Sequence, residues 1–286
     1  MKHYRITHRT EYVYSGPVQL GPHALRLRPR EGFDLRIESS TLTIQPHAFL
    51  RWHRDVEGNS VAIADFNTLS DHLLIESILL IQQYDQQPLD FLVEDYAVNY
   101  PFAYSIEDCV VLQPYLSGKT DQPDPALTQW LTTVWRRGEP IESYALLQRL
   151  TRAIHSLISY QRREEPGVQT PAQTLFKQTG SCRDLAFLFM DLARQLGFAS
   201  RFVSGYSYTT IVSDDAGSTH AWAEVFLPGA GWKGFDPTRG EIVGENYIPV
   251  AVGRLPHFVP PVSGSLRGNA FLREMMVSVV VERLNT

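Results

Sequence analysis

Cysteine is scarce in this chain. Its 286 residues contain two, Cys109 and Cys182, too few for a disulfide framework or for a thiolate zinc site. Long apolar runs are lacking as well. The longest, Leu73 to Ile81, is broken by Glu76 and Ser77 and falls short of the ~20 residues a membrane helix needs. Met1-Lys2-His3-Tyr4-Arg5-Ile6 runs directly into a strand pattern without the apolar core of an export signal. The expected location is therefore the cytoplasm, with no membrane partner. Positive charge is also short. There are 26 Lys and Arg against 31 Asp and Glu, a net charge of −5, so no basic face is expected to neutralise phosphates and no nucleic-acid partner is expected.

Nucleotide and metal motifs are incomplete where they begin. Ser117-Gly118-Lys119-Thr120 ends like a phosphate-binding loop, but Gln113 stands where that loop requires a glycine. Gly229, Gly231 and Gly234 spell G-x-G-x-x-G, yet Phe235-Asp236-Pro237 follows, a strand and a stop instead of a helix. Asp214-Asp215 reads as an ordinary turn and not a calcium loop. Glu164 and Glu165 read as solvated loop charges. No cofactor and no metal are expected.

What the chain does have is an ordinary globular composition, 43% hydrophobic and 20% charged, in a length that suits two domains. Residues 1–112 alternate apolar and polar in short runs between turn signals such as Gly16-Pro17 and Asp55-Val56-Glu57-Gly58-Asn59. This predicts an N-terminal β-sandwich domain, with Cys109 in strand core. Residues 113–125 form a polar linker. Residues 126–250 carry helical stripes, including Leu146, Leu147, Leu150, Ile154 and Leu157, and then strands. Residues 251–286 are a loop-rich tail whose valine-rich end completes a sheet, and the loop character begins at Glu241 and runs to Asn269, with Pro249, Pro256, Pro260 and Pro261. The fold class is α+β.

Chemistry concentrates at Gly180-Ser181-Cys182-Arg183-Asp184. Leu185, Leu188, Phe189, Leu192, Ala193 and Leu196 mark one face of a buried helix that Gly197 ends. Cys182 then sits in the first turn, after a sharp bend at Gly180. Unpaired N–H groups and the helix dipole favour a thiolate there, below the ~8.5 of a free thiol. Arg183 and Asp184 are expected to form a local ion pair. Downstream, His220 to Phe226 and Trp232 to Asp236 read as the arms of a hairpin. A loop at 227–229 places His220 opposite Asp236. A loop at 228–230 places Trp222 opposite Asp236 and leaves His220 diagonal to it. In both registers the imidazole and carboxylate share a face, as an oriented general base requires. Cysteine, histidine and aspartate together are the parts of covalent thiol catalysis. Trp222, Tyr206 and Gly234 are the expected substrate contacts, Gly234 because its missing side chain leaves room between strands.

Gly180-Ser181-Cys182-Arg183-Asp184, Arg201-Phe202-Val203-Ser204-Gly205-Tyr206, His220-Ala221-Trp222-Ala223-Glu224-Val225 and Gly231-Trp232-Lys233-Gly234-Phe235-Asp236-Pro237-Thr238 together resemble the bacterial transglutaminase-like superfamily. His8 to Tyr14 and Asp55 to Asn59 resemble the β-domain that precedes its core. The resemblance implies a papain-like core in which Cys182 is the nucleophile, His220 the general base and acid, and Asp236 the orienting carboxylate. It implies a peptide or protein amide as substrate, attacked to give a thioester on Cys182, with the Cys182 N–H as an oxyanion donor. Water as acceptor gives a protease or amidase, the preferred expectation because no water-excluding amine site is visible. An amine acceptor gives a cross-linking transglutaminase. A binding or scaffold protein retaining the fold is the third reading. The family's tail has an Asp after Gly253-Arg254, where this chain has Leu255, a departure that bears on substrate details.

Overall fold

The computed structural model describes residues 1–84, 90–117, 124–163, 165–208 and 219–284. Five strands come first, β1 (Lys2–Leu25), β2 (Leu35–Gln45), β3 (Phe49–Arg54), β4 (Ser60–Asp65) and β5 (Leu69–Gln83). Helices and two-residue bridges follow: α1 (Asp95–Val98), β6 (Asn99–Tyr100), α2 (Ile106–Leu116), α3 (Pro125–Val134), β7 (Ile141–Glu142), α4 (Ser143–Leu157), β8 (Ser159–Tyr160), α5 (Pro171–Lys177), β9 (Thr179–Gly180) and α6 (Cys182–Gln195). Strands then return as β10 (Ser200–Ser207), β11 (His220–Leu227), β12 (Gly231–Asp236), β13 (Glu241–Ile242), β14 (Tyr247–Gly253), β15 (Val262–Arg267) and β16 (Leu272–Leu284). No described helix is long and apolar enough to cross a membrane.

The class is α+β. The N-terminal strands form one curled seven-stranded sheet ordered β2-β5-β1-β4-β3, with β15 and β16 also paired to β1. Strand β1 organises it. Its first half lies between β5 and β16, and its second half pairs with β4 and β15. The expected turn at Gly16-Pro17 does not reverse the chain. It falls within β1 at a register shift between Val13 and Val18. Pro17 cannot donate to a ladder, so the strand bends there and changes partners.

The second sheet runs β13-β12-β11-β10-β14, with neighbouring strands antiparallel. Helix α6 packs on it. Leu185, Leu188, Phe189 and Leu192 share a core with Leu146, Leu150 and Ile154 of α4 and with Val225 and Phe235 of the sheet. Each such side chain contributes about 1.5–3 kcal/mol on burial, so α6 is fixed along its whole apolar stripe. Gly197 ends the helix region with a φ of 85°, the left-handed geometry that favours glycine.

The two sheets meet through a third cluster. Tyr4, Ile6, Leu79 and Ile81 pack against Tyr206, Ile248 and Val250. Polar clamps join the same layers. Asn59, fully buried, donates Nδ2–H to the Val252 carbonyl at 2.8 Å and accepts from the Val252 N–H at 2.9 Å. His8 Nδ1 lies 2.9 Å from the Tyr206 hydroxyl.

Three local expectations are corrected. Cys109 is not in strand core but exposed on α2. That helix begins because the Ser105 side chain accepts from the Asp108 N–H, and Val110 and Val111 point outward. The helix also carries Gln113 to Leu116, which were expected in a linker. Residues 241–269 hold three strands, β13, β14 and β15, where loop was expected. Pro249 sits on β14 beside the register shift at Ser204/Gly205, a place where a strand tolerates proline. Gly118-Lys119-Thr120, Glu164 and Asp214-Asp215 lie outside the described residues.

Candidate active site

The local sequence builds a rigid seat for Cys182. Bridge β8–β9 is parallel, with Tyr160 opposite Gly180, and delivers Ser181 as the N-cap of α6. Gly180 is required by crowding and not by a left-handed bend. A Cβ there would lie 3.0 Å from Asp184 Cβ and 3.1 Å from Leu185 Cδ1. Asp184 is fully buried and serves as the hub of this helix end. Its carboxylate accepts from the Ser181 N–H at 2.9 Å, the Ser181 hydroxyl at 2.8 Å and the Gln169 N–H at 2.8 Å. Arg163 Nη1 donates to both of its oxygens at 2.9 and 2.8 Å. Burial pushes this carboxyl upward, but Arg163 and the Ser181 and Gln169 donors outweigh it and hold the group below the usual carboxylate range. The expected Arg183–Asp184 pair is not formed. Arg183 instead donates Nη2–H to the carbonyls of Arg163 and Glu165.

The β11–β12 hairpin takes the later loop. Leu227 faces Gly231, Phe226 faces Trp232 and Ala223 faces Phe235, which puts His220 diagonal to Asp236. Both side chains are buried, and His220 Nε2 lies 2.7 Å from Asp236 Oδ2. Cys182 and the same imidazole line one cleft. With Nε2 committed to the carboxylate, Nδ1 is the ring nitrogen available to the thiol. Burial disfavours the charged ring, but Asp236, with a further contribution from Cys182, overcomes it and raises His220 to about 10. The same burial pushes Asp236 upward. His220, the Tyr247 hydroxyl and the Arg239 charge together hold it down.

Thr238, at the end of the Gly231 to Thr238 motif, and Tyr247 and Arg239, which carried no sequence signal, complete the support. The Thr238 N–H donates to Asp236 Oδ1 at 2.9 Å. The Tyr247 hydroxyl is 2.7 Å from Asp236 Oδ2 and 2.7 Å from Glu241 Oε1, so its one proton serves one acceptor at a time. Burial, then the Asp236 charge, raises this phenol well above its ordinary range, which keeps it a donor. Arg239 Nη2 reaches the Ser207 hydroxyl at 3.0 Å.

Cys182 and His220 open onto a cleft of about 440 Å³. None of the three expected substrate contacts lines it. Trp222 is fully buried beneath His220, its ring centroid 6.1 Å from the imidazole and 5.2 Å from Tyr247. It fits because Gly205 has no side chain: a Cβ there would meet Trp222 Cη2 at 2.6 Å and the Ile248 carbonyl at 2.3 Å. Tyr206 points to His8 in the layer between the sheets. Gly234 makes room for Val243, whose Cβ would lie 2.5 Å from an added methyl. The cleft is lined instead by Tyr160, Arg162 and Val168 before α5, by Leu255 and Val259 after β14, and by Met275 and Val277 of β16. Sequence reasoning missed these because they come from three separated stretches. Among the described residues no group of three His, Cys, Asp or Glu side chains is placed to hold a metal ion.

A sheet carrying His and Asp against the N-terminus of a helix carrying Cys is the core of a cysteine-enzyme fold. The family assignment agrees: residues 4–82 match the bacterial transglutaminase-like N-terminal region, and residues 135–237 match the transglutaminase-like superfamily core. The chain belongs to the transglutaminase-like superfamily. An uncharacterised protein of Mycobacterium tuberculosis is 28% identical over 97% of this chain and 92% of its own length. An uncharacterised protein of Mycobacterium leprae is 24% identical over 98% of each. The crystal structure of a proposed cysteine protease from Cytophaga hutchinsonii is similar in fold, with a TM-score of 0.73 and 18% identity over 100% of this chain and 91% of that one.

Proposed function

We propose that this protein is a cysteine hydrolase of amide or peptide bonds that works through a thioester on Cys182. The observation that carries the reading is that Cys182 and His220 line one cleft while His220 is held 2.7 Å from buried Asp236. In this reading Cys182 and His220 rest as a thiolate–imidazolium pair, and the thiolate attacks the amide carbonyl carbon. The new C–S bond pushes the carbonyl electrons onto oxygen, where the Cys182 N–H at the start of α6 is a ready donor. As the oxyanion collapses, the C–N bond breaks and His220 gives the proton to the leaving amine. Water then loses a proton to His220 and attacks the thioester, releasing the acid and the thiolate. Asp236 holds the ring so that Nδ1 faces the thiol throughout.

Hydrolysis is favoured over amine transfer because the cleft is open and water is the ready acceptor. The test is brief, substoichiometric iodoacetamide at pH 6, read by mass spectrometry of the intact protein. Cys182 is expected to label at least about tenfold faster than Cys109, and His220→Ala is expected to remove most of that advantage. Equal labelling of both thiols would sink the reading and favour a binding protein on the same fold.

A further inference from the structure

The cleft in front of Cys182 has two unlike walls. Arg162, Arg163 and Arg183 stand on one, and Leu255, Val259, Met275 and Val277 on the other. No Asp or Glu side chain lines it among the described residues. In a chain of net charge −5 this is a local reversal of sign.

The three arginines are not equivalent. Arg163 meets Asp184 at 2.8 Å and Glu165 at 3.5 Å, so its charge is balanced. Arg183 spends Nη2 on two backbone carbonyls, which fix its position and neutralise nothing. Arg162 is exposed and meets no carboxylate among the described residues. Two guanidinium charges therefore face the space before the thiol, one of them held in place. A planar guanidinium recognises a carboxylate through paired N–H groups. The opposite side comes from β16 of the N-terminal sheet, which offers the apolar Met275 and Val277, and from the segment after β14, which adds Leu255, Val259 and the imidazole of His257.

We propose that the substrate is an acidic peptide, with a carboxylate close to the attacked amide seated on Arg162 and Arg183 and its apolar part against Met275 and Val277. This rests on the reading of Cys182 as nucleophile and adds the substrate class. It also gives the N-terminal sheet a part in recognition, since β16 supplies the apolar wall.

The experiment compares iodoacetate with iodoacetamide, which differ by a carboxylate against a neutral amide. Rates are measured at Cys182 and at exposed Cys109 of the same chain, in wild type, Arg162→Gln and Arg162→Glu. The readout is the iodoacetate-to-iodoacetamide ratio at Cys182 divided by that at Cys109, so a change in thiol activation cancels within each variant. The normalised ratio is expected to fall about threefold in Arg162→Gln and about tenfold in Arg162→Glu, and to fall in wild type at high salt as the arginine field is screened. A fast Cys182 whose ratio ignores Arg162→Glu overturns the acidic-substrate proposal alone. A Cys182 no faster than Cys109 with iodoacetamide overturns the nucleophile reading, and this proposal falls with it.

Discussion

His220 and Asp236 form a buried pair whose two members respond to pH in opposite senses. In the fold His220 keeps its proton up to about 10, above the ~6.5 of an unfolded histidine. Its contribution to stability is complete below about pH 6.5 and is lost as pH rises toward the folded value. Asp236 is held below the usual carboxylate range, so its contribution is present at neutral pH and lost on acidification. The urea midpoint of the wild type is therefore expected to fall between about pH 7 and 9.5, with a slope approaching that of one released proton from this site. Asp236→Asn removes the charge that raises the histidine and is expected to flatten that slope. A slope unchanged in the variant would show that other groups set it.

The residues of this pair were legible in the sequence because strand parity is insensitive to a one-residue uncertainty in loop position: both hairpin registers left histidine and aspartate on one face. The three expected substrate contacts were not legible for the converse reason. Parity says which face a side chain takes but not what covers that face. Tyr206 shares parity with cleft-lining Phe202 and Ser204, yet the N-terminal sheet covers it two residues further along. Trp222 shares parity with His220, and Gly205 draws it inward.

At the scale of elements, α6 was legible from its apolar stripe, whereas the device that fixes its first turn was not. Asp184 reads in sequence as one more charge near a helix start. One partner, Ser181, lies at the capping-box spacing, but the others come from residues 163 and 169, which sequence periodicity does not connect to it. Asp184→Ala leaves Arg163 without its carboxylate and three other donors without an acceptor. A loss of about 3 kcal/mol in urea unfolding is expected, with slower iodoacetamide labelling of Cys182 as the helix start loosens. A loss below about 0.5 kcal/mol would mean that the apolar stripe alone seats the helix. Strand β14 was hidden because Pro249 and the prolines after it read as loop. Its residues are buried on both faces, Tyr247 and Ala251 as well as Ile248, Val250 and Val252, so no alternation marks it, and β10 supplies its ladder.

Across the whole molecule the curled sheet and the core are joined by few polar contacts. Asn59 is the most committed of them, fully buried and bonded twice to Val252. Asn59→Ala is expected to lower stability by about 2–3 kcal/mol, because it leaves the Val252 N–H and carbonyl without partners. A change within 0.5 kcal/mol (about the scatter of exposed substitutions) would mean that water replaces the side chain there. His8 acts at the same seam with the pH sense opposite to His220. Burial holds it down at about 4, so its contribution weakens as pH falls below about 6.5.

The pairing of β1 with β16 also sets an order of events during synthesis. Thr7 lies opposite Val280, and Tyr12 opposite Met275, contacts that span nearly the full described chain. Such pairings carry a large loop-closure cost and form late. On the ribosome Cys182 emerges well before Met275 and Val277, so a nascent chain can assemble the helix, the hairpin and the thiol while one wall of the cleft is still untranslated. The completed cleft is then the last feature this protein acquires, and a chain cut short before β16 leaves Cys182 in an unwalled groove.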